Sequence, residues 1–457
     1  MTAMEVAALG GAFASFLRSF SCCFSNRRTL ENFVTYCRGL LGKIRRKSVE
    51  PIALASGSGV RALQWFLSNG KWDHDRLRDM IQQRVGTHHC PVPGTLRRGQ
   101  FGSIGVIDET SDDKKGKKTP GVQRQYLGCR GKTDNGIVTV HLCVVDGRFK
   151  SIIDSDLFLP ESWDQDRQRC EEAGIPADLH HRPKTEIALE QVRRAVGNGV
   201  RFSFLNFDEG YGKSPGFLFE LDRLGQTYIG EVPKSFHCFG ARPKYASLQR
   251  PFQTKQVQNL CRYSPRLRDQ RWHEVRLERE TLGAQLWRVK GAHIYLRSKE
   301  RKPTDRTYWL IVAWQPDSNE YKYFISNAPP NTPLITLMRM AFTRWHVEHS
   351  FRAAKGEIGF MDYEGRRYDG LIRHLTLCKL VMLFIAEQTA DKVAFPPELT
   401  LEQMASALNV ICDGWLKRKR RHKHQESDVA FAARRINYHQ ARNGDAKRSR
   451  QTRPRRE

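Results

Sequence analysis

The segment Arg344-Trp-His-Val-Glu-His-Ser-Phe-Arg-Ala-Ala-Lys355 contains neither glycine nor proline and is predicted as helix. Arg344, Glu348, Phe351 and Lys355 follow one another at steps of four, three and four, so they share one helical face. One carboxylate flanked by two cations can hold a divalent metal while the cations grip phosphate. For a lone helix the plainer reading is an amphipathic helix braced by i,i+4 ion pairs. Two upstream segments shift the balance. Ile104-Gly-Val-Ile-Asp108 and Phe202-Ser-Phe-Leu-Asn-Phe-Asp208 are both short apolar runs that stop at an aspartate. Such runs suit buried strands, and an acid where the run stops sits at the carboxyl edge of a sheet, where α/β proteins keep their sites. Singly, each aspartate is an ordinary turn residue or helix cap. If the strands are neighbours and the helix brings Glu348 across them, the three form a carboxylate cage that divalent metal neutralises.

These elements resemble the DDE insertion-sequence transposases, cut-and-paste enzymes with an RNase H-like core. The glutamate signature is Arg344-x3-Glu348-x6-Lys355. Asp108, Lys115-Gly116, Gly121-Val122 and Arg124-Gln125-Tyr126 are similar to the first-aspartate block. Leu157-Phe-Leu-Pro-Glu-Ser-Trp163 and Asp208-Glu-Gly-Tyr-Gly212 resemble the blocks that follow. Tyr323-Phe-Ile-Ser-Asn-Ala-Pro329 leads into the glutamate helix, with Tyr363-Glu-Gly-Arg366 and Arg373-His-Leu375 after it. Gly39-Leu-Leu41 and Arg46-Lys-Ser-Val-Glu-Pro-Ile52 fit upstream. The branch is most similar to insertion-sequence family seven-oh-one. One departure is Ala341, where relatives with the fuller signature carry a tyrosine that contacts the bent terminal strand. Either Tyr126 or an insertion tryptophan replaces that contact, or the flanking strands leave without a hairpin.

The resemblance implies catalysis by Asp108, Asp208 and Glu348 with two Mg2+ ions, Mn2+ being able to substitute. Asp108 would bridge the ions and the other two acids would each hold one. Two ions about 4 Å apart activate a nucleophile and stabilise a leaving oxygen in phosphodiester cleavage. Water would free a 3′-hydroxyl at the transposon end, and that hydroxyl would attack target DNA. Arg344, Lys355, Lys115, Lys118, Arg124 and Tyr126 are the expected DNA-binding residues; the two loop lysines belong to Asp112-Asp-Lys-Lys-Gly-Lys-Lys118, placed to reach a strand's phosphates. The partners implied are the terminal inverted repeats and target DNA, with the chain a homodimer in that complex. Two other readings stay open: a metal-dependent nuclease that cuts without joining, and a catalytically inert DNA-binding protein.

Composition agrees with a polyanion binder. The 457 residues carry a formal charge of +27. At 39% hydrophobic residues, the chain can build a sizeable core. Residues 5–17 are apolar, but Arg18 closes the run, so a buried or amphipathic helix is expected rather than a signal peptide or membrane span. A cytoplasmic, nucleoid-associated protein of bacterial type follows from the resemblance. Eleven cysteines without a CxxC pair fit reduced thiols. Cys22-Cys23 and His88-His89-Cys90 lack the spaced partners of a zinc site.

The elements that must position these residues fall into five regions. Residues 1–98 read as a helical DNA-binding domain, with Asp73 and Asp75 as caps of its last helix. Residues 99–234 read as the first part of an RNase H-like core, a mixed five-stranded sheet flanked by helices. There Gln123–Gly128 and Gly136–Val145 are expected as antiparallel strands turning at Thr133-Asp-Asn-Gly136. Residues 235–335 form a β-rich insertion with basic and aromatic residues, and 336–395 the helical second part of the core. Residues 396–457 are a basic C-terminal region, core-poor and partly disordered from about 415, that would add salt-sensitive DNA affinity.

Overall fold

The computed structural model describes residues 3–90, 102–242, 253–279, 283–344, 350–390, 400–416 and 423–452. Its centre is one mixed sheet of ten strands. The first six are β1 (Ile104–Asp113), β2 (Gln123–Leu127), β3 (Lys132–Asp146), β4 (Phe149–Leu157), β5 (Phe204–Phe207) and β6 (Tyr228–Val232). A two-stranded ribbon, β7 (His237–Cys238) with β8 (Lys255–Gln256), stands apart. The sheet is completed by β9 (His273–Arg279), β10 (Gly283–Ile294), β11 (Tyr308–Gln315) and β12 (Glu320–Ser326). The order runs β2-β3-β1-β5-β6-β12-β11-β10-β9, with β4 on β3. Only β1–β5 and β5–β6 are parallel. Both pairs need crossovers, and the helices Lys184–Gly197 before β5 and Pro215–Arg223 before β6 supply them.

The sheet is twice as wide as the five strands expected. The reason is at the edge of β6. Left alone, that edge would offer unpaired backbone groups. Instead β12 pairs with it, from Tyr323↔Val232 to Ser326↔Ile229, and β11, β10 and β9 follow as a meander. The insertion is therefore a continuation of the central sheet. The β2–β3 turn also differs from expectation. Thr133-Asp-Asn-Gly136 lies inside β3, and the chain reverses at Gly128–Gly131, where Gly131 has φ 64° and its N–H donates to the Leu127 carbonyl at 2.9 Å. The Asn-Gly pair misled because its backbone is held in the ladder against β1 and β2.

The N-terminal helices are Ala3–Arg18, Arg27–Leu41, Val49–Ser56, Val60–Ser68 and His74–His89. Asp73 caps the last, accepting from the Arg76 N–H at 2.8 Å. They pack around the long apolar helix Tyr368–Ala390, which itself lies on β4. The Phe13 ring meets Phe384 at 4.8 Å. Arg373 donates to the Leu67 carbonyl at 2.9 Å, and Arg84 grips Glu387 through two bonds of 2.6 and 3.0 Å. Tyr36 donates to His374 Nδ1 at 2.9 Å, while Nε2 donates to the Gly359 carbonyl at 3.0 Å. Burial pushes that imidazole down to about 4, so it stays neutral.

The C-terminal region is more ordered than its composition suggests. Leu401–Leu416 and Lys423–Thr452 are helices packed on each other and on Ala3–Arg18. Val429, Ala432, Ala433 and Ile436, at helical spacing, turn one face inward, the last three buried. The Lys417-to-Arg421 run lies outside the described residues.

The core is tightest where β5 and β6 touch. A Cβ on Gly230 would lie 1.9 Å from the Phe207 ring. Gly230→Ala is expected to destabilise the protein by about 1–3 kcal/mol through overpacking, read as a lower denaturation midpoint at unchanged m-value.

Candidate active site

β1 and β5 run side by side from Ile104↔Phe204 to Ile107↔Phe207. Asp108 and Asp208 are the next residues of the two strands. Phe207 ends β5, and Asp208 caps the short helix Glu209–Gly212, its carboxylate accepting from the Gly210 N–H at 2.9 Å. β1 does not stop at Asp108, as expected from the sequence, but continues to Asp113 because β3 pairs with it throughout. What stops after Ile107 is pairing on the β5 side. Both acids lie one residue beyond the last β1–β5 pair.

Asp108 faces His141 across β1 and β3. The His141 ring is buried, lies 5.2 Å from both Phe351 and Phe360, and is held between Thr139 and Ser155 at 2.8 and 2.9 Å. The chain after residue 350 therefore covers the face on which Asp108 sits. Residues 350–353 are helical and run into a π-helical turn, Ala354–Ile358, which carries Lys355. Arg344 approaches from the other direction, its guanidinium 3.4 Å from the Asp108 carboxylate. It lies in a turn after the helix Leu334–Phe342, so Arg344 itself stands outside the helix expected from Arg344 to Lys355. Ala341 is buried in that earlier helix. Glu348 lies outside the described residues, in the 345–349 stretch between Arg344 and Phe351.

Burial pushes Asp108 up to about 6; Arg344 opposes the rise, and the negative charge of Asp208 adds to it. Lys355 is lowered by burial, with Cys129, Asp112 and Asp108 acting against that shift. Tyr211, two residues past the helix start, is buried with a hydroxyl that has no hydrogen-bond partner among the described residues. Burial, then Glu109, Asp108 and Asp208, hold that phenol well above its ordinary range. Two adjacent acids, one reluctant to ionise, form an oxygen-donor set that fits a divalent cation. Among the described residues, no three His, Cys, Asp or Glu side chains are grouped closely enough to hold a metal.

The other named residues lie on the loop after β1 and on β2. Lys115 and Lys118 are exposed on the loop after β1. Arg124 and Tyr126 project from the same exposed side of β2, Tyr126 being 61% exposed. Of the insertion tryptophans, Trp287 is core, packed 4.8 Å from Phe342.

Two residues that hold these parts in place lie within quoted motifs but were given no role of their own by the sequence. Buried Asn206 donates to the Met340 and Ala341 carbonyls at 2.7 and 2.8 Å, tying the end of the Leu334–Phe342 helix to β5. Its signal was a polar residue inside an apolar strand. Buried Lys47 reaches the Leu40 and Glu357 carbonyls, and its N–H donates to Asp362 at 2.7 Å. It thereby fastens the π-helical turn to the N-terminal helices. No local pattern announces that contact, which joins residues three hundred positions apart.

A family model described as DDE superfamily endonuclease matches residues 19–293, more than half of the chain. The chain belongs to that family. A probable transposase for insertion sequence element IS701, from Microchaete diplosiphon, is 29% identical over 357 residues, covering 76% of this chain and 79% of the relative. Among solved structures, a piggyBac transposase synaptic complex with hairpin DNA aligns over 89% of this chain and 78% of that one, at 11% identity and a TM-score of 0.41.

The electrostatics of Asp108 give two opposed expectations. A carboxyl raised from 3.8 to about 6 favours the fold when protonated, and that contribution fades as pH rises through this window. Arg344→Gln removes the opposing cation and should move the Asp108 midpoint above about 6; Asp208→Asn should move it below. Carboxyl-carbon NMR titration of metal-free protein checks both, and shifts of the same sign would contradict the arrangement.

Proposed function

We infer that this chain is an insertion-sequence transposase that cuts DNA at the element's ends and joins the freed 3′-hydroxyl to target DNA. The observation that carries this reading is the parallel register that makes Asp108 and Asp208 neighbours, with Arg344 against Asp108 and Phe351 against His141, the residue paired with Asp108. Glu348 lies between Arg344 and Phe351 in sequence and supplies the third carboxylate. We propose β4-β3-β1-β5-β6 as the RNase H-like core, carried by residues 99–234 and 336–395, with 235–335 as the insertion.

Enzymes of the DDE class generally work with divalent metal ions. Asp108, Asp208 and Glu348 would hold them, two Mg2+ ions being the fitting complement for three carboxylates. When bound, they supply an activated water and a stabilised leaving oxygen. Arg344 orients Asp108 and places positive charge beside the acids, where a phosphate would be drawn. Lys355, held close to the acids by the π-helical turn, neutralises the backbone of the strand being cut. Lys115, Lys118, Arg124 and Tyr126, all exposed, contact that strand. Residues 1–98 take the terminal inverted repeats, and a homodimer holds both ends. Among the described residues, no helix is long and apolar enough to cross a membrane.

A labelled element end incubated with target plasmid and Mg2+ tests the reading. Joined product supports transposition; cleavage without joining leaves a nuclease, and neither leaves a DNA-binding protein. Asp208→Asn should abolish cleavage and retain binding, since it removes a metal-holding charge and leaves the basic surface intact; equal loss of both would count against the assignment. The C-terminal helix adds sequence-independent affinity through exposed Arg434, Arg442 and Arg448. Replacing all three with glutamine should flatten the slope of log affinity against log salt by up to about 3, near one unit for each phosphate no longer neutralised, measured by anisotropy.

A further inference from the structure

Outside the acidic cleft, three sulfurs meet on the N-terminal helices. Cys22 and Cys23 lie in a single 3-10 turn, Ser21–Cys23, and Met80 lies on the facing helix His74–His89. The two thiols each donate to Met80 Sδ at 3.5 Å. The backbone holds this geometry: the Asp73 N–H donates to the Cys23 carbonyl at 3.2 Å, and Arg76 donates to the Cys22 carbonyl at 3.4 Å. Cys23 is buried and Cys22 exposed, so the group has a dry wall and a wet side. The wet side opens on a cleft of about 470 Å³ lined by Cys22, Met80, Asp73, Asp79 and Arg76, among others.

We propose that Cys22, Cys23 and Met80 form a binding site for a soft monovalent cation, Cu(I). Two thiolates and a thioether are the ligand class that selects such an ion. Three sulfurs around one ion, at a metal–sulfur distance of about 2.3 Å, stand about 4 Å from one another in a trigonal plane. The two thiol-to-thioether separations need to widen by only a few tenths of an ångström. Zinc is disfavoured because it wants four ligands of harder average character, and the oxygen donors nearby are engaged. Asp73 caps its helix at 2.8 Å, and Asp79 is paired with Arg78 at 2.9 Å. Loading replaces two thiol protons, released to solvent, by one cation; the resulting unit charge of −1 lies beside Arg76. The cation would tie the 3-10 turn to the helix His74–His89 and so fix the start of the helical bundle.

The test is an anaerobic titration of the full-length, metal-free chain with Cu(I) against a chromogenic Cu(I) chelator. One equivalent should be held in competition with the chelator, and X-ray absorption should count three sulfur neighbours. Met80→Leu, close in volume, should weaken that equivalent at least tenfold. Cys22→Ser, at an exposed position, should remove it, while Cys129→Ser, at the other exposed cysteine, should not. A parent no better than Cys22→Ser, a Met80→Leu variant equal to the parent, or displacement of Cu(I) by equimolar Zn(II) would each overturn the proposal. Far-UV circular dichroism of each variant confirms that the comparison is between folded proteins.

Discussion

Holding two carboxylates side by side at a partly dry sheet edge costs free energy, and the parallel pairing of β1 with β5 meets that cost. Four backbone pairs fix Ile104–Ile107 against Phe204–Phe207, and the side chains of these strands are packed into the main core. Nothing about the acids themselves favours the arrangement: Asp208 pushes Asp108 toward its neutral form, and burial pushes harder. The strain is electrostatic, stored by the sheet and released by whatever positive charge enters the cleft. Arg344 supplies part of that charge in the metal-free chain.

Much of this was legible in the residues, for identifiable reasons. Short apolar runs ending in acid are strands at a carboxyl edge because the hydrophobic pattern and the site rule coincide. Asp73 was readable as a cap because capping is local. The helix Tyr368–Ala390 was readable because its apolar length leaves no alternative to burial. The misreadings also share a cause. Whether Asn135-Gly136 turns or stays extended depends on a ladder contributed by β1 and β2, remote in sequence. The extent of the sheet depends on β12 finding the edge of β6, about ninety residues away. The C-terminal helix was hidden by average composition, although its four inward residues keep helical spacing within a basic sequence. Lys47 lay beyond any local inference, since both carbonyls it serves are chosen by tertiary packing.

The continuous sheet alters how the insertion relates to catalysis. A module joined by two linkers could pivot freely. Here the last strand, β12, is bonded along β6, which is bonded to β5, which ends one residue before Asp208. Trp287 and Phe342 pack together next to the turn that carries Arg344. Movement in β9–β12 is therefore coupled to Asp208 and Arg344 through backbone bonds and a packed aromatic pair rather than through a flexible hinge.

The N-terminal helices and the helix Tyr368–Ala390 complete one another, down to Arg373 donating to carbonyls at Leu67 and Trp72. A reading frame interrupted in its second half would leave the early helices without the surface they bury against and their carbonyls without that donor. The first ninety residues therefore depend for their packing on a helix made almost three hundred residues later. Folding of the N-terminal region is thus expected to wait on synthesis of the second half of the chain rather than to proceed as the chain emerges.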